Sequence, residues 1–462
     1  MFMLAATVTY IIAFATLLVV ASYALYASRR SSNQSAHAFL SAKDTQGPVS
    51  LAWCLFAAGM GSWTLFSFPE IGVLAGAWGI IGYTLSSCLA MLILACVGPR
   101  TRRLLCDGVT LSECILHRYG HIMQTYIAII SFLYQFLSLA SEFTCVGQLT
   151  AILSPDAKPI VVILTVAVIT NLYTLVGGML ASLATDVWQG VGVLSLVLLV
   201  CIVMISSTTT PANVLSVAVF DTSGFETLVT LCIAVTSSNL FFSGFWQRVY
   251  AAADDATLRK ACLYACGFCI PFTVALAVAG MVSSLKYPGE IYFFSLLLNM
   301  GTVWQVFVMM VIVSLASSAS DSLQMGITAE LVSNFPSLSL FHARVICVML
   351  NVSAIFVALQ NYSVLTLFLI SDLLCTASVG PMLLALWDRS QAQAALVGCI
   401  SGLLVIFVYG SIIRGSVYGG FEWFILPEGL YSFHSMITFI LALVIPPVIT
   451  ITLSLLMGDS SD

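Results

Sequence analysis

The sequence predicts an all-α, multi-pass membrane protein, and three observations carry the prediction. Apolar residues make up 60% of the chain and charged residues 8%, whereas a soluble domain carries roughly a quarter charged residues. Apolar runs of about 20 residues, the length that crosses a ~30 Å hydrocarbon core, recur from end to end. No stretch is long and polar enough for a separate soluble domain. About thirteen spans are expected: 2–28, 49–71, 76–98, 122–153, 158–178, 182–206, 225–250, 258–284, 302–332, 340–360, 362–387, 394–414 and 433–457.

The first run is longer than the apolar core of a secretion signal, lacks a basic stretch before it, and carries Arg29 and Arg30 on its far side. It reads as a retained helix with its N-terminus outside. Positive charges test that orientation, because they collect on the cytoplasmic side. Of the 15 Lys and Arg residues, only Lys158, Lys286 and Arg414 fall outside. The cytoplasmic segments take Arg29, Arg30, Lys43, Arg100, Arg102, Arg103, Arg118, Arg248, Arg259, Lys260, Arg344 and Arg389. The tail beyond Met457 is expected in the cytoplasm, and the plasma membrane is the expected location.

Residues 1–48 hold one extra helix and the first cytoplasmic loop; the stretches 49–206 and 225–387 then each read as five spans. An odd number of spans forces such halves into opposite orientations, the arithmetic of an inverted repeat that holds its solute near the midplane. Residues 394–462 add two helices and the tail. Each half opens on a helix with breaking residues. These are Gly59, Gly61, Pro69 and Gly72 in the first, and Ser237-Ser238-Asn239 with Ser243-Gly244 in the second. Small residues also let neighbouring helices approach, so close packing is the alternative reading. Carbonyls freed by unwinding must find partners, and a cation is one such partner.

Span 302–332 carries the strongest polar pattern. Ser314, Ser317, Ser318 and Asp321 fall at i, i+3, i+4 and i+7 on one helix face, and Thr328 extends the face two turns beyond Asp321. Hydroxyls are neutral hard-oxygen ligands suited to a small hard cation such as sodium. The competing reading has the serines bonding to their own helix carbonyls or to neighbouring helices. Asp186 stands beside Thr185 and one turn from Gln189, either coupling an ion or stabilising a helix start.

Glu70, Glu142 and Asp372 are the remaining carboxylates assigned within or near spans; Glu142, with Ser141, Thr144 and Gln148, has the most polar surroundings. Ionisable groups at membrane depth mark ion or substrate pathways. Trp63 either stacks a planar solute or packs. The 14 cysteines lie mostly within spans, and neither they nor the 5 histidines show metal-ligand spacing or a disulfide framework. The loop histidines assemble no nucleophile–base set, so no enzyme is expected. Without a nucleotide-binding loop, uphill movement of a solute would draw on an ion gradient.

Five segments occur in order: AHAFLSAKD (36–44), FAAGMGSW (56–63), VTLSECILHRYG (109–120), NLYTLVGG with TDVWQ (171–189) and FWQRVYAAADDATLRK (245–260). Together they resemble the sodium:solute symporter family over most of the chain. The fourth, similar to a Tyr-Thr…Gly-Gly…Thr-Asp-x-x-Gln signature, is the most specific. The resemblance implies a ten-helix, 5+5 inverted-repeat transporter core that works by alternating access. It also implies sodium bound by backbone carbonyls of the first broken helix, here Ala57 and Met60, together with Ser314, Ser317, Ser318 and Asp321. Asp186, Thr185, Gln189 and Glu142 are expected to couple the ion to the solute.

The chain departs from proline-symporter relatives on the eighth core helix. Their Ser-Thr or Ser-Ser pair falls here on Ser314-Leu315 or Ser318-Ala319, and Gly59 replaces a polar residue after Ala57-Ala58. GSWTLFSFPE (61–70) resembles the urea and polyamine branch. By position, Ser62, Trp63, Ser238, Asn239 and Ser243 would line the solute pocket. The implied function is sodium-coupled symport of a small polar organic solute such as urea, a polyamine or an amino acid. No cofactor besides the coupling sodium ion is expected; the partners are the solute, sodium and the lipid bilayer, with no nucleic acid. A proton-coupled or sodium-independent carrier, a channel, and a transport-impaired sensor are the alternatives on the same fold.

Overall fold

The computed structural model describes residues 4–29, 36–105, 108–206, 216–287, 292–298, 301–335 and 337–458. Arg30, the start of the first expected span and the tail beyond Gly458 lie outside the described residues. The α-helices in chain order are α1 (Ala6–Ser28), α2 (Ala36–Ser41), α3 (Pro48–Gly59), α4 (Thr64–Leu104), α5 (Leu111–Tyr119) and α6 (His121–Leu153). They continue as α7 (Pro159–Ser206), α8 (Thr222–Asn239), α9 (Ser243–Ala251), α10 (Asp255–Lys286), α11 (Tyr292–Leu298) and α12 (Thr302–Asn334). The last are α13 (Leu340–Ala358), α14 (Val364–Leu383), α15 (Ala392–Arg414), α16 (Val417–Glu422) and α17 (Phe433–Gly458). Among the described residues there is no strand, only one isolated bridge between Gln46 and Ala252.

Ten helices are long and apolar enough to cross a membrane among the described residues, and α8 with α9, bent by 61° across a break, makes an eleventh. Two of the ten are not single rods. Gly76 in α4 (φ 56°, ψ −144°) and Gly178 in α7 (φ 59°, ψ −152°) leave helical geometry. A residue with a Cβ avoids that conformation, and at Gly178 the Phe39 ring and carbonyl would also collide with one. Each long helix therefore turns at its glycine.

α3 opens on Pro48, whose missing N–H costs nothing in a first turn. It stops at Gly59, and residues 60–63 are non-helical before α4 begins at Thr64. The second break follows Asn239. There the Trp246 indole donates to the Leu240 carbonyl at 2.8 Å, giving a partner to a carbonyl that unwinding frees.

The bundle has apolar side chains outside and charges within. Ile11, Val176, Leu198 and Ile412 are exposed, whereas Asp186, Arg248 and Asp321 are 0% exposed. That inversion suits lipid as solvent, and Arg248, counted by sequence among the cytoplasmic charges, is buried inside the bundle. α7 packs along α1 and α12, α4 along α8 and α10, and α6 against α12 and α14. At one end the chain before α3 is tied to the end of α9 through Gln46 N–H to Ala251 O (2.9 Å) and Ala253 N–H to Gln46 O (3.0 Å). Arg102 reinforces the tie with Asp44 at 2.9 Å. The Thr-Leu-Ser-Glu run has a local cause, because Thr110 and Glu113 form a reciprocal capping box at the start of α5.

Candidate functional site

Helices α7, α9 and α12 bring one group of polar residues together. Asp321 on α12 accepts hydrogen bonds from Tyr173 OH (2.7 Å), Ser182 Oγ (2.7 Å), Thr185 Oγ1 (3.0 Å) and Ser322 Oγ (3.2 Å). Asp186 on α7 pairs with the Arg248 guanidinium of α9 at 2.7 Å and accepts from Ser318 Oγ at 3.2 Å. Arg248 also donates to Ser322 Oγ and the Gly244 carbonyl, both at 2.9 Å. Ser317 stands between Tyr173 OH (3.0 Å) and Thr170 Oγ1 (3.1 Å). The break at Gly178 is what makes this possible, since Tyr173 precedes it and Ser182, Thr185 and Asp186 follow it.

The cluster holds two carboxylates and one guanidinium, all fully buried. With every group ionised it carries one negative charge more than it neutralises. Burying such a charge is costly unless it is paired. The sequence pattern located Ser317, Ser318, Asp321, Thr185, Asp186 and Gln189, and the fold gathers all six. Gln189 lies against Ser314 and Ser318.

Other expectations need correcting. Ser314 lies beside Gln189 and lines an apolar groove beside α1 with Ile12, Tyr23 and Trp188. Thr328 bonds back to the Gln324 carbonyl at 2.8 Å and takes no part in the cluster. Asp186 does not stabilise a helix start; it answers a buried arginine. Glu142 stands apart from Asp186. It accepts from the Ser62 N–H (3.0 Å) and Ser62 Oγ (2.6 Å) in the first break, and its carboxylate sits where a Cβ on Gly61 would be.

Ala57 and Met60 flank that break, with Met60 N–H donating to the Ala57 carbonyl at 3.2 Å. Beside it a cavity of about 50 Å³ opens between α3, α4, α6, α8 and α14. Its walls are mostly apolar and include the aromatic residues Trp63, Tyr83, Tyr134 and Phe368, and Asp372 is its carboxylate. A neighbouring lobe of about 40 Å³ shares Trp63, Tyr134, Asn239 and Phe368 and reaches Glu142. Of the expected solute-lining residues, Trp63, Ser238 and Asn239 line the cavity. Ser62 and Ser243 do not: Ser62 is spent on Glu142, and Ser243 donates to Glu330 at 2.6 Å.

Sequence reasoning missed three features. Arg248 was legible as a lone charge in the aromatic run FWQRVY, the kind of residue that must find an internal partner in lipid. Glu330 was passed over among the carboxylates of the spans. It is 2% exposed and bonded to Ser112 (2.7 Å), Ser243 and Asn334 (2.9 Å) across α5, α9 and α12. Tyr83 and Tyr134 had no local signal.

Broken membrane helices, a buried charged cluster and a cavity at the first break define a multi-pass membrane transporter. The family model described as the sodium:solute symporter family matches residues 39–306, and the chain belongs to that family, whose members are carriers that move a solute together with sodium. It is 26% identical over 421 residues to the spermidine transporter DUR31 of Candida albicans, covering 85% of this chain and 79% of that protein. In fold it is similar to a Na+-coupled sialic acid symporter in a substrate-bound, outward-open state, with a TM-score of 0.75, 17% identity and 97% of each chain covered. It is also similar to Mhp1, a nucleobase-cation-symport-1 family transporter in a closed conformation, with a TM-score of 0.58, 12% identity, and 90% of this chain and 93% of that one covered.

Proposed function

We propose that this protein couples sodium entry to uptake of a small nitrogenous solute, by alternating access through a 5+5 inverted repeat. The observation that carries the reading is the buried cluster of Asp186, Arg248 and Asp321, whose surplus negative charge a cation would neutralise. Hydroxyls and carboxylates are hard-oxygen donors, which favours sodium over softer ions. In this reading Ser317, Ser318 and Asp321, with the Ala57 and Met60 carbonyls, serve the ion, while Asp186, Thr185 and Gln189 transmit its presence. Met60 also lines the aromatic cavity, so the first break touches both sites. The spermidine-transporting relative supports a nitrogenous solute.

Splitting α4 at Gly76 and α7 at Gly178, joining α3 to the start of α4, and joining α8 to α9 gives thirteen passes. Five then fall in 49–206 and five in 225–387, each set opening on a broken helix. Residues 1–48 and 394–462 flank this core, with the N-terminus outside, the C-terminus cytoplasmic and the plasma membrane as location. A cavity of about 50 Å³ has room for a few waters only. Helices must therefore move apart to admit an organic solute, as alternating access requires.

Proteoliposome uptake tests the proposal. Concentrative uptake is expected to collapse when the sodium gradient is removed. Ser318→Ala and Asp321→Ala are expected to raise the sodium concentration needed for half-maximal uptake. Unchanged uptake without sodium rejects the coupling, and uptake driven by a proton gradient alone assigns the cluster a proton.

A further inference from the structure

Two buried carboxylates face the cavity without a cation of their own. Asp372 is 5% exposed and Glu142 1% exposed, and neither forms an ion pair among the described residues. The chain does supply a guanidinium to a buried carboxylate elsewhere, at Asp186. Glu142 takes both Ser62 bonds on Oε2, and no hydrogen bond among the described residues falls on Oε1. Asp372 is faced by the Ser238 hydroxyl, which itself donates to the Val235 carbonyl at 3.3 Å. Each carboxylate closes one lobe, and the wall the lobes share is aromatic.

A buried carboxylate keeps its charge only where a counter-charge or hydrogen bonds compensate it, and an ammonium group is such a counter-charge. The electron-rich faces of Trp63, Tyr134 and Phe368 favour an organic cation over a bare anion or a neutral amide. A urea-sized neutral solute supplies neither acid with a counter-charge. We propose that the cavity reads two ammonium groups at once: Asp372 takes one end of a linear alkyl diamine or polyamine, Glu142 takes the other, and the methylene chain lies along the shared aromatic wall. The inference rests on the reading of this cavity as the solute site. It assigns Asp372 to amine recognition in general and Glu142 to the choice of a diamine over a monoamine.

The test is equilibrium binding to the purified full chain in lipid nanodiscs, with 1,4-diaminobutane, butylamine and 1,4-butanediol as probes in sodium buffer. The diamine is expected to bind at least about tenfold tighter than the monoamine, and the diol not at all. Asp372→Asn is expected to abolish binding of both amines. Glu142→Gln is expected to bring the diamine down to the affinity of the monoamine. Equal binding of diamine and monoamine to the wild type overturns the inference, as does an Asp372→Asn variant within about twofold of wild type.

A wild-type series from 1,3-diaminopropane to 1,8-diaminooctane decides the matter even if a variant does not fold. An optimum length supports two fixed acids, and a flat series overturns them. Sodium-dependent uptake of neutral solutes with no amine binding sinks this inference and leaves the symport reading standing. Amine binding that follows the two acids, with no sodium-dependent uptake of anything, does the reverse.

Discussion

The charged cluster on α7, α9 and α12 and the aromatic cavity beside the first break are both buried, yet they treat charge in opposite ways. In the cluster Asp321 is ringed by four hydroxyls and Asp186 meets a guanidinium. In the cavity Asp372 and Glu142 face apolar and aromatic walls, and neither pairs with a cation among the described residues. A desolvated charge is either satisfied by the chain or left for something that arrives and departs. The first arrangement holds helices together, and the second suits a passenger. With every group ionised, the cluster also keeps one negative charge in surplus.

The largest expected effect comes from breaking the buried pair. Arg248→Met leaves Asp186 buried without a counter-charge and should destabilise the protein by about 3–5 kcal/mol, read as thermal unfolding in detergent. Adding Asp186→Asn should recover part of that loss; a single variant no worse than a surface substitution would mean that the pair does not hold α7 to α9. Next, Tyr173→Phe removes one donor to a carboxylate and should cost about 1.5–3 kcal/mol by the same measurement. Ser317→Ala, which loses neutral hydroxyl partners, is expected to cost about 0.5–1.5 kcal/mol. Smallest in loss is Asp372→Asn, which removes a buried unpaired charge and is expected not to lower the unfolding temperature, because no cation among the described residues pairs with that carboxylate. If Asp372→Asn unfolds as readily as Tyr173→Phe, the contrast between the two regions fails.

Much of this molecule is legible along the chain. The apolar runs give membrane helices because lipid offers the backbone no partners, and Gly59, Gly61 and Asn239 sit at the breaks because short or flexible residues tolerate unwinding. The stripe on α12 was visible because helical periodicity places Ser317, Ser318 and Asp321 on one face. Periodicity gives a face and not a neighbour, which is why Ser314 and Thr328 were grouped with residues they do not join. Ser62 and Ser243 were placed in the pocket by position, whereas their hydroxyls answer Glu142 and Glu330, acids far away in sequence.

Composition, periodicity and the placement of small residues by themselves determined a bundle of membrane helices, the breaks that follow Gly59 and Asn239, and which face of α12 is polar. These follow from local chemistry, from hydration of the backbone and from the 3.6-residue repeat. Only the tertiary structure decided that Arg248 belongs to Asp186, that Tyr173 crosses to Asp321, and that Asp372 and Glu142 border adjoining lobes of one cavity. Those pairings join residues 62 and 148 positions apart in the first two cases. No local pattern encodes the partner of a buried charge; the packing of whole helices selects it.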